Sequence, residues 1–390
     1  MAPTLHIRCL CGAIHEQVLS RREGDSDQAS LSLCHCDACR HSSGTLSTSY
    51  YPILEPTTLS DNLGRYDPAD GGSTRYFCAK CGCHVFRSNR LGSGSLEWKV
   101  ATGVVASTTD IGGDATDARY TRHTYVADTQ DGGASIWIPM FDGESVQSIG
   151  DSSSFVDTLP PIPQSSDSEE SLGASCACGR VRFHITRPGP QSRNAHSDYP
   201  DLLYAYNKTP VSIRSNPNRE KWWLCGEGRY LAGTCACASC RLATGFEIQT
   251  WAFVPRANIF AHIPDPATAD SAEDRRVIVP LDFETLGPGV LSSYSSSPGV
   301  FRDFCGRCGA TVFWRDNVRP GKVDVSVGLL RADEGARAES WLSWWTRRVS
   351  FEEEAGTGRR GAPARTAKKL IVSLQEGLKE WAEGSTRVSK

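Results

Sequence analysis

The chain has 390 residues, a formal net charge of −3 and a pI near 6.3, which leaves room for two or three domains, each with its own core. That charge balance excludes a general attraction to phosphate backbones, so nucleic acid is not an expected partner. No run of eighteen apolar residues occurs, so no membrane-spanning helix is expected. The sixteen cysteines carry the information.

An even cysteine count would suit disulfides in a secreted protein. Here the cysteines stand two or three positions apart, a spacing that suits a knuckle around a metal better than bridges to distant partners. The opening residues MAPTLHIRCL lack the apolar core of a signal peptide, and a reducing, cytoplasmic setting is expected.

In chain order, Cys9-Leu-Cys11-Gly12 leads into a short stretch, Ala13 to Val18, that reads as a strand. A polar loop from Arg21 to Ser30 precedes CHCDACRHSSG, Cys34 to Gly44, which crowds three thiols into six positions. Tyr50 to Ile53 reads as a strand, and Arg75-Tyr-Phe-Cys78-Ala-Lys-Cys81-Gly82 reads as a hairpin knuckle followed by another strand. Trp98, Val100, Thr102 and Val104 alternate as in a half-buried strand, and His123 to Asp128 is a further strand candidate. No long helical periodicity appears in this half.

Between residues 144 and 172 the composition turns to Ser, Asp, Pro and Glu and reads as a solvated linker. The order then repeats: Cys176-Ala-Cys178-Gly179, CACASCRLATG from Cys235 to Gly245, and Phe304-Cys305-Gly-Arg-Cys308-Gly309. Cys178 to Cys235 spans 57 positions against 23 from Cys11 to Cys34, and Cys240 to Cys305 spans 65 against 39 from Cys39 to Cys78. Such expansions belong in loops. The first carries Trp222-Trp223 and is apolar enough to pack on its domain or cover its site. The repeats are expected over 5–143 and 173–351, followed by a basic tail, 352–390. Within the tail, Leu370, Leu374, Leu378 and Trp381 predict a helix over 365–383, docked on its own domain.

Each half holds seven repeated cysteines, which divide into a closed metal site of four and an open site of three. Spacing alone leaves open which thiols join. Cys83 and Cys225 have no counterparts in the other half and are not assigned to metal.

The motifs C-x-C-G, C-H-C-x-x-C-R-x-x-x-G and F-C-x-x-C-G, in that order and twice over, resemble the glutathione-dependent formaldehyde-activating enzyme family, also called the CENP-V/GFA domain family. His123-Thr-Tyr-Val-Ala-Asp looks like that family's late His-containing strand. The resemblance implies an all-β fold of two tandem β-tent (Mss4-like) domains with small folded-over antiparallel sheets, plus the C-terminal helix. It implies structural zinc on Cys9, Cys11, Cys78 and Cys81, and on Cys176, Cys178, Cys305 and Cys308. It further implies an open, catalytic zinc on Cys34, Cys36 and Cys39, and a second open site on Cys235, Cys237 and Cys240, giving up to four Zn2+ per chain. The implied activity is a carbon-sulfur lyase type, joining glutathione to formaldehyde or a related aldehyde.

Arg40 and Arg241, each directly after its knuckle, are candidates for pairing with the carboxylates of glutathione, and His35 for assisting proton transfer. The second half has Ala236 where the first has His35, and no visible counterpart of His123 to Asp128 after Leu330. The first half is therefore expected to be the active one. The competing reading is a zinc-stabilised binding or scaffold protein without catalysis, since fold alone does not fix function.

Overall fold

The computed structural model describes residues 2–21, 29–69, 71–109, 117–153, 170–265, 275–284, 286 and 290–388. The described chain is mostly β, in small sheets, with one long helix at its C-terminal end. No helix among the described residues is long and apolar enough to cross a membrane.

In the first half, Thr4–Arg8 pairs antiparallel with His15–Leu19 and with Val105–Thr109. Five strands form a second sheet in the order Tyr50–Ile53, Leu96–Ala101, His84–Arg90, Thr74–Cys78, Leu63–Tyr66. A third sheet departs from the all-antiparallel expectation: Ser30–Cys34 and Arg119–Thr124 run parallel. Such a pair needs a long crossover, and the chain from Asp37 to Thr109 supplies it.

The second half follows the same order of elements. Ser171–Ser175 pairs with Arg182–Thr186, and Arg229–Cys235 leads into Gln249–Pro255, Lys322–Ser326, Thr311–Asp316, Val300–Phe304 and Ser292–Ser297 within an eight-stranded sheet. The parallel ladder recurs as Leu342–Trp344 against Arg229–Cys235. Of the expected linker, 154–169 lie outside the described residues. Glu144–Ser145 and Gln147–Ser148 form short strands, and Ser171–Ser175 opens the second half.

Each middle knuckle ends in a short helix, Asp37–Ser43 or Ala238–Thr244, closed by a left-handed glycine, Gly44 or Gly245. These two glycines also set how closely the halves approach. A Cβ on Gly44 would stand 2.2 Å from the Thr311 carbonyl oxygen, and one on Gly245 would stand 2.3 Å from that of His84. Reciprocal backbone bonds join the halves there, Gly103 N–H to Gly245 O at 2.8 Å and Gly328 N–H to Gly44 O at 3.1 Å. One continuous apolar core results, running from Leu5 through both halves to Leu378.

The C-terminal helix spans Ala362–Val388, with Pro363 in the first turn, where a missing N–H costs nothing. It docks chiefly on the first half rather than on the half that precedes it, which reaches it through Arg337 over Trp381 at 5.8 Å. Leu370, Leu374 and Leu378 are buried, Trp381 packs edge-on to Trp137 at 5.7 Å, and Lys369 reaches Asp142 at 2.8 Å, so the helix lies on the first half. The cause is Trp137, fully buried between Trp344 and Trp381, an apolar surface that only a distant segment can cover.

Candidate metal centres

The fold brings the cysteines into four groups whose sulfur atoms all lie within 4.8 Å of one another: Cys9, Cys11, Cys78, Cys81; Cys176, Cys178, Cys305, Cys308; Cys34, Cys36, Cys39; and Cys235, Cys237, Cys240. Each set of four joins two sheets, because each F-C-x-x-C-G knuckle follows a strand of one sheet and meets the C-x-C that follows a strand of another. Cys83 and Cys225 stand outside all four groups.

Cys11 Sγ is 3.6 Å from the sulfurs of both Cys9 and Cys78, and Cys178 Sγ is 3.5 Å from those of Cys176 and Cys305. In the first trio, Cys34 is 3.4 Å from Cys36 and 3.5 Å from Cys39. Four thiolates about 2.3 Å from one zinc stand about 3.8 Å apart, whereas a disulfide needs about 2.05 Å. The separations and the all-sulfur donor sets fit zinc. Among the described residues no fourth His, Cys, Asp or Glu joins either trio.

Backbone amides support the sulfurs in both halves at matched positions. Ile14 N–H and Val181 N–H donate to Cys9 and Cys176 at 3.3 and 3.4 Å. Cys39 N–H and Cys240 N–H donate to Cys36 and Cys237, the caps of their helices, at 3.4 and 3.3 Å. Hydrogen bonds from the other two thiols hold Cys39 and Cys240 well below the ordinary thiol range, and nearby guanidinium groups add to this.

Those guanidinium groups belong to arginines that sequence reasoning did not single out. Arg75 and Arg87 each donate to Cys39 Sγ at 3.7 Å, and Arg302 donates to Cys240 Sγ at 3.5 Å and to Ser239 Oγ at 2.7 Å. Arg75 and Arg302 each stand three positions before the last C-x-x-C knuckle, a shared R-x-x-C-x-x-C pattern that could have marked them. Arg241 is spent elsewhere, donating to the carbonyls of Gly103 and Thr357 across the junction of the halves. Arg40 is buried and pairs with Asp37.

His35 is fully buried and hydrogen-bonded to His123 at 2.8 Å. His123 Nε2 lies 2.9 Å from the Ile138 carbonyl, so that nitrogen carries the proton and Nδ1 accepts from His35 Nε2. Burial holds both imidazoles below their ordinary range, as a neutral packed pair.

The late segment of the first half does have a counterpart, contrary to the sequence reading. Thr124 O accepts from His35 N–H at 3.0 Å and Ser350 O from Ala236 N–H at 2.9 Å. Tyr125 and Phe351 follow with left-handed φ of 57° and 53°. Asp128 and Glu354 then accept from the first amides of the knuckle helices, Asp37 N–H at 3.3 Å and Ala238 N–H at 3.0 Å. The equivalence is one of backbone path, because Val349 to Glu354 shares no residue with His123 to Asp128. The pair His35 and His123 is replaced by Ala236 and Val349, and removing both partners of a buried hydrogen bond leaves nothing unsatisfied.

The second trio opens onto a cavity of about 450 Å³ walled by Trp251, Phe253, Trp314, Leu202, Tyr206 and Phe351. Leu202 and Tyr206 come from the expansion between Cys178 and Cys235, which thus covers the site, while Trp222 packs behind it on Phe253 at 5.1 Å.

No match to a curated protein is found. Residues 4–126 match the model of the family described as glutathione-dependent formaldehyde-activating enzyme, a span that holds the first four-cysteine cluster and the first trio.

Proposed function

We propose that the chain is a zinc-dependent enzyme of the carbon-sulfur lyase type, built from two domains of this family, that joins glutathione to formaldehyde or a related small aldehyde. The observation that carries the reading is the trio of convergent thiols with no fourth protein ligand among the described residues. A zinc ion there supplies a Lewis-acid position at which a substrate thiol ionises readily.

The residues of the chain then divide the work. The two four-cysteine clusters hold the fold. Arg75 and Arg87 offset the negative charge gathered at Cys39. Arg87, half-buried beside Tyr50, is the better placed of the two to meet a substrate carboxylate. In the reaction the thiol sulfur forms a bond to the carbonyl carbon, the C=O π bond breaks, and the thiol proton passes to the carbonyl oxygen.

Native mass spectrometry of the full chain with a glutathione titration tests this reading, with Cys36→Ser as control. Four zincs and a glutathione adduct that weakens in the Cys36→Ser protein are expected. Two zincs, or four with no adduct, would turn the assignment to a scaffold whose metal is purely structural.

A further inference from the structure

The ladders beside the two trios pair in matching register, so residues facing the trios can be matched position by position. Tyr50 pairs with Ala101 and Trp251 with Ser326, while Arg87 pairs with Lys99 and Trp314 with Asp324. Tyr50 and Trp251 each stand six positions past the knuckle glycine, and Arg87 and Trp314 each stand six past the last ligand cysteine. The next residue across the ladder is Pro52 in the first half and Phe253 in the second. One wall thus reads Tyr50, Pro52, Arg87, Lys99, and its equivalent reads Trp251, Phe253, Trp314, Asp324.

Charge and shape change together in this exchange. Two cations of the first wall become an indole and a carboxylate in the second. The arginine that is kept, Arg302, turns its two terminal nitrogens to Cys240 and Ser239. Arg319, the other cation on the cavity, is held by Asp316 at 2.8 Å and stacks over Trp314 at 4.7 Å. The carboxylates are engaged as well. Asp201 binds Arg348 at 3.0 Å and the Phe351 amide at 2.6 Å, and Asp324 pairs with the buried Lys322.

What remains open to a ligand is largely aromatic surface ending on three thiols, with Glu354, which accepts from the Ala238 amide at 3.0 Å, on the same wall. The cavity volume of about 450 Å³ falls within the range of small-molecule sites. The expansion absent from the first half closes it, with Tyr206 packed edge-on to Phe351 at 5.6 Å.

We infer that the second trio selects an uncharged thiol bearing an aromatic or bulky apolar body, while the first takes the anionic tripeptide thiol. The inference rests on the open-trio reading proposed above. Burial of the ligand ring among Trp251, Trp314 and Phe253 supplies its affinity, and a ligand carboxylate no longer meets the counterparts of Arg87 and Lys99.

Calorimetric titration of the zinc-loaded full chain tests it, with 2-phenylethanethiol and glutathione as probes. Cys36→Ser leaves the second trio intact, and Cys237→Ser leaves the first. The Cys36→Ser protein is expected to bind the aromatic thiol about tenfold or more tighter than glutathione, and the Cys237→Ser protein to reverse that order. Trp314→Arg added to Cys36→Ser narrows the preference, and Trp251→Tyr, the milder exchange, narrows it less. A second trio that prefers glutathione, or that binds neither thiol while the first still takes glutathione, overturns this inference alone. Absence of thiol binding at both trios overturns it together with the open-site reading.

Discussion

Arg75 and Arg302 illustrate how one side chain can support a cluster of thiols from behind. Each guanidinium donates to the last sulfur of its trio from a buried position, 4% exposed in both cases. Such supporting partners typically contribute about 10–100-fold to metal affinity. Arg75→Ala is expected to leave the four-cysteine clusters loaded and to weaken the first trio by that factor, read by competition with a chromophoric chelator. Arg75→Lys should recover part of the loss, and an unchanged affinity in Arg75→Ala would refute the role. The thiols of each knuckle were legible in the sequence because a knuckle forces them within a few positions of each other, whereas the joining of Cys9 and Cys11 with Cys78 and Cys81 was not fixed by spacing. The supporting arginines were not legible, because their contact with Cys39 or Cys240 is made between a strand and a helix far apart in the chain. Arg40 and Arg241 drew attention by adjacency to the knuckle, yet Arg40 turns to Asp37 of its own helix and Arg241 to the Gly103 carbonyl of the other half. His35 packs with His123 as a buried hydrogen-bonded pair, and the exchange of both to Ala236 and Val349 was hidden because the two positions lie far apart in the chain.

At the scale of elements, the C-terminal helix is the piece whose existence and placement separate most clearly. Its stripe of Leu370, Leu374 and Leu378 announced a helix, but periodicity identifies a buried face without naming the surface it meets. That surface is set by Trp137 and by the strands Val105–Thr109 and Met140–Phe141, more than two hundred residues earlier. Even Gly377, a poor helix former, fits this docking, since a Cβ there would stand 2.1 Å from the Trp137 carbonyl oxygen. Just before the helix, Arg359 makes a buried pair with Glu247 at 2.9 Å and donates to the Thr102 carbonyl at 2.6 Å, binding tail, second half and first half at one point. Leu374→Ala should cost about 2–5 kcal/mol in denaturant unfolding, as expected for a fully buried leucine. Val372→Ala, on the exposed side, should change stability by less than about 0.5 kcal/mol. Equal effects of the two would mean that the helix does not use this face. The parallel ladder of Ser30–Cys34 with Arg119–Thr124 was hidden for the same reason, because alternation reveals a strand but not its partner or direction.

For the whole molecule, the question is whether two repeats make two independent units or one. The junction is reciprocal: each knuckle helix is capped by a glycine whose carbonyl accepts from the other half, and each half lays a tyrosine strand toward the other's four-cysteine site. Tyr66 O–H donates to the Ala177 carbonyl at 3.3 Å, inside the Cys176 to Cys178 knuckle, and Ala177 N–H donates to the His41 carbonyl of the first half at 2.9 Å. On the other side, the charge of Cys11 adds to burial in raising Tyr294. A cysteine knuckle in one half thus forms part of the packing surface of the other. Binding of a metal to the folded state alone stabilises whatever folds with that site, so emptying either four-cysteine cluster of a metal should be felt on both sides of the junction. Cys178→Ser, or chelation that empties that site, is therefore expected to lower a single calorimetric transition with equal van't Hoff and calorimetric enthalpies. Near-ultraviolet bands from Trp98 in the first half and Trp251 in the second would then change together. Two resolved transitions, with only the second half shifted by Cys178→Ser, would show that the shared core from Leu5 to Leu378 does not couple the halves. Coupling of this kind also bears on the two open trios. Gly44 and Gly245 tie both knuckle helices to the same junction, so a ligand that orders one helix acts on the surface against which the other is held.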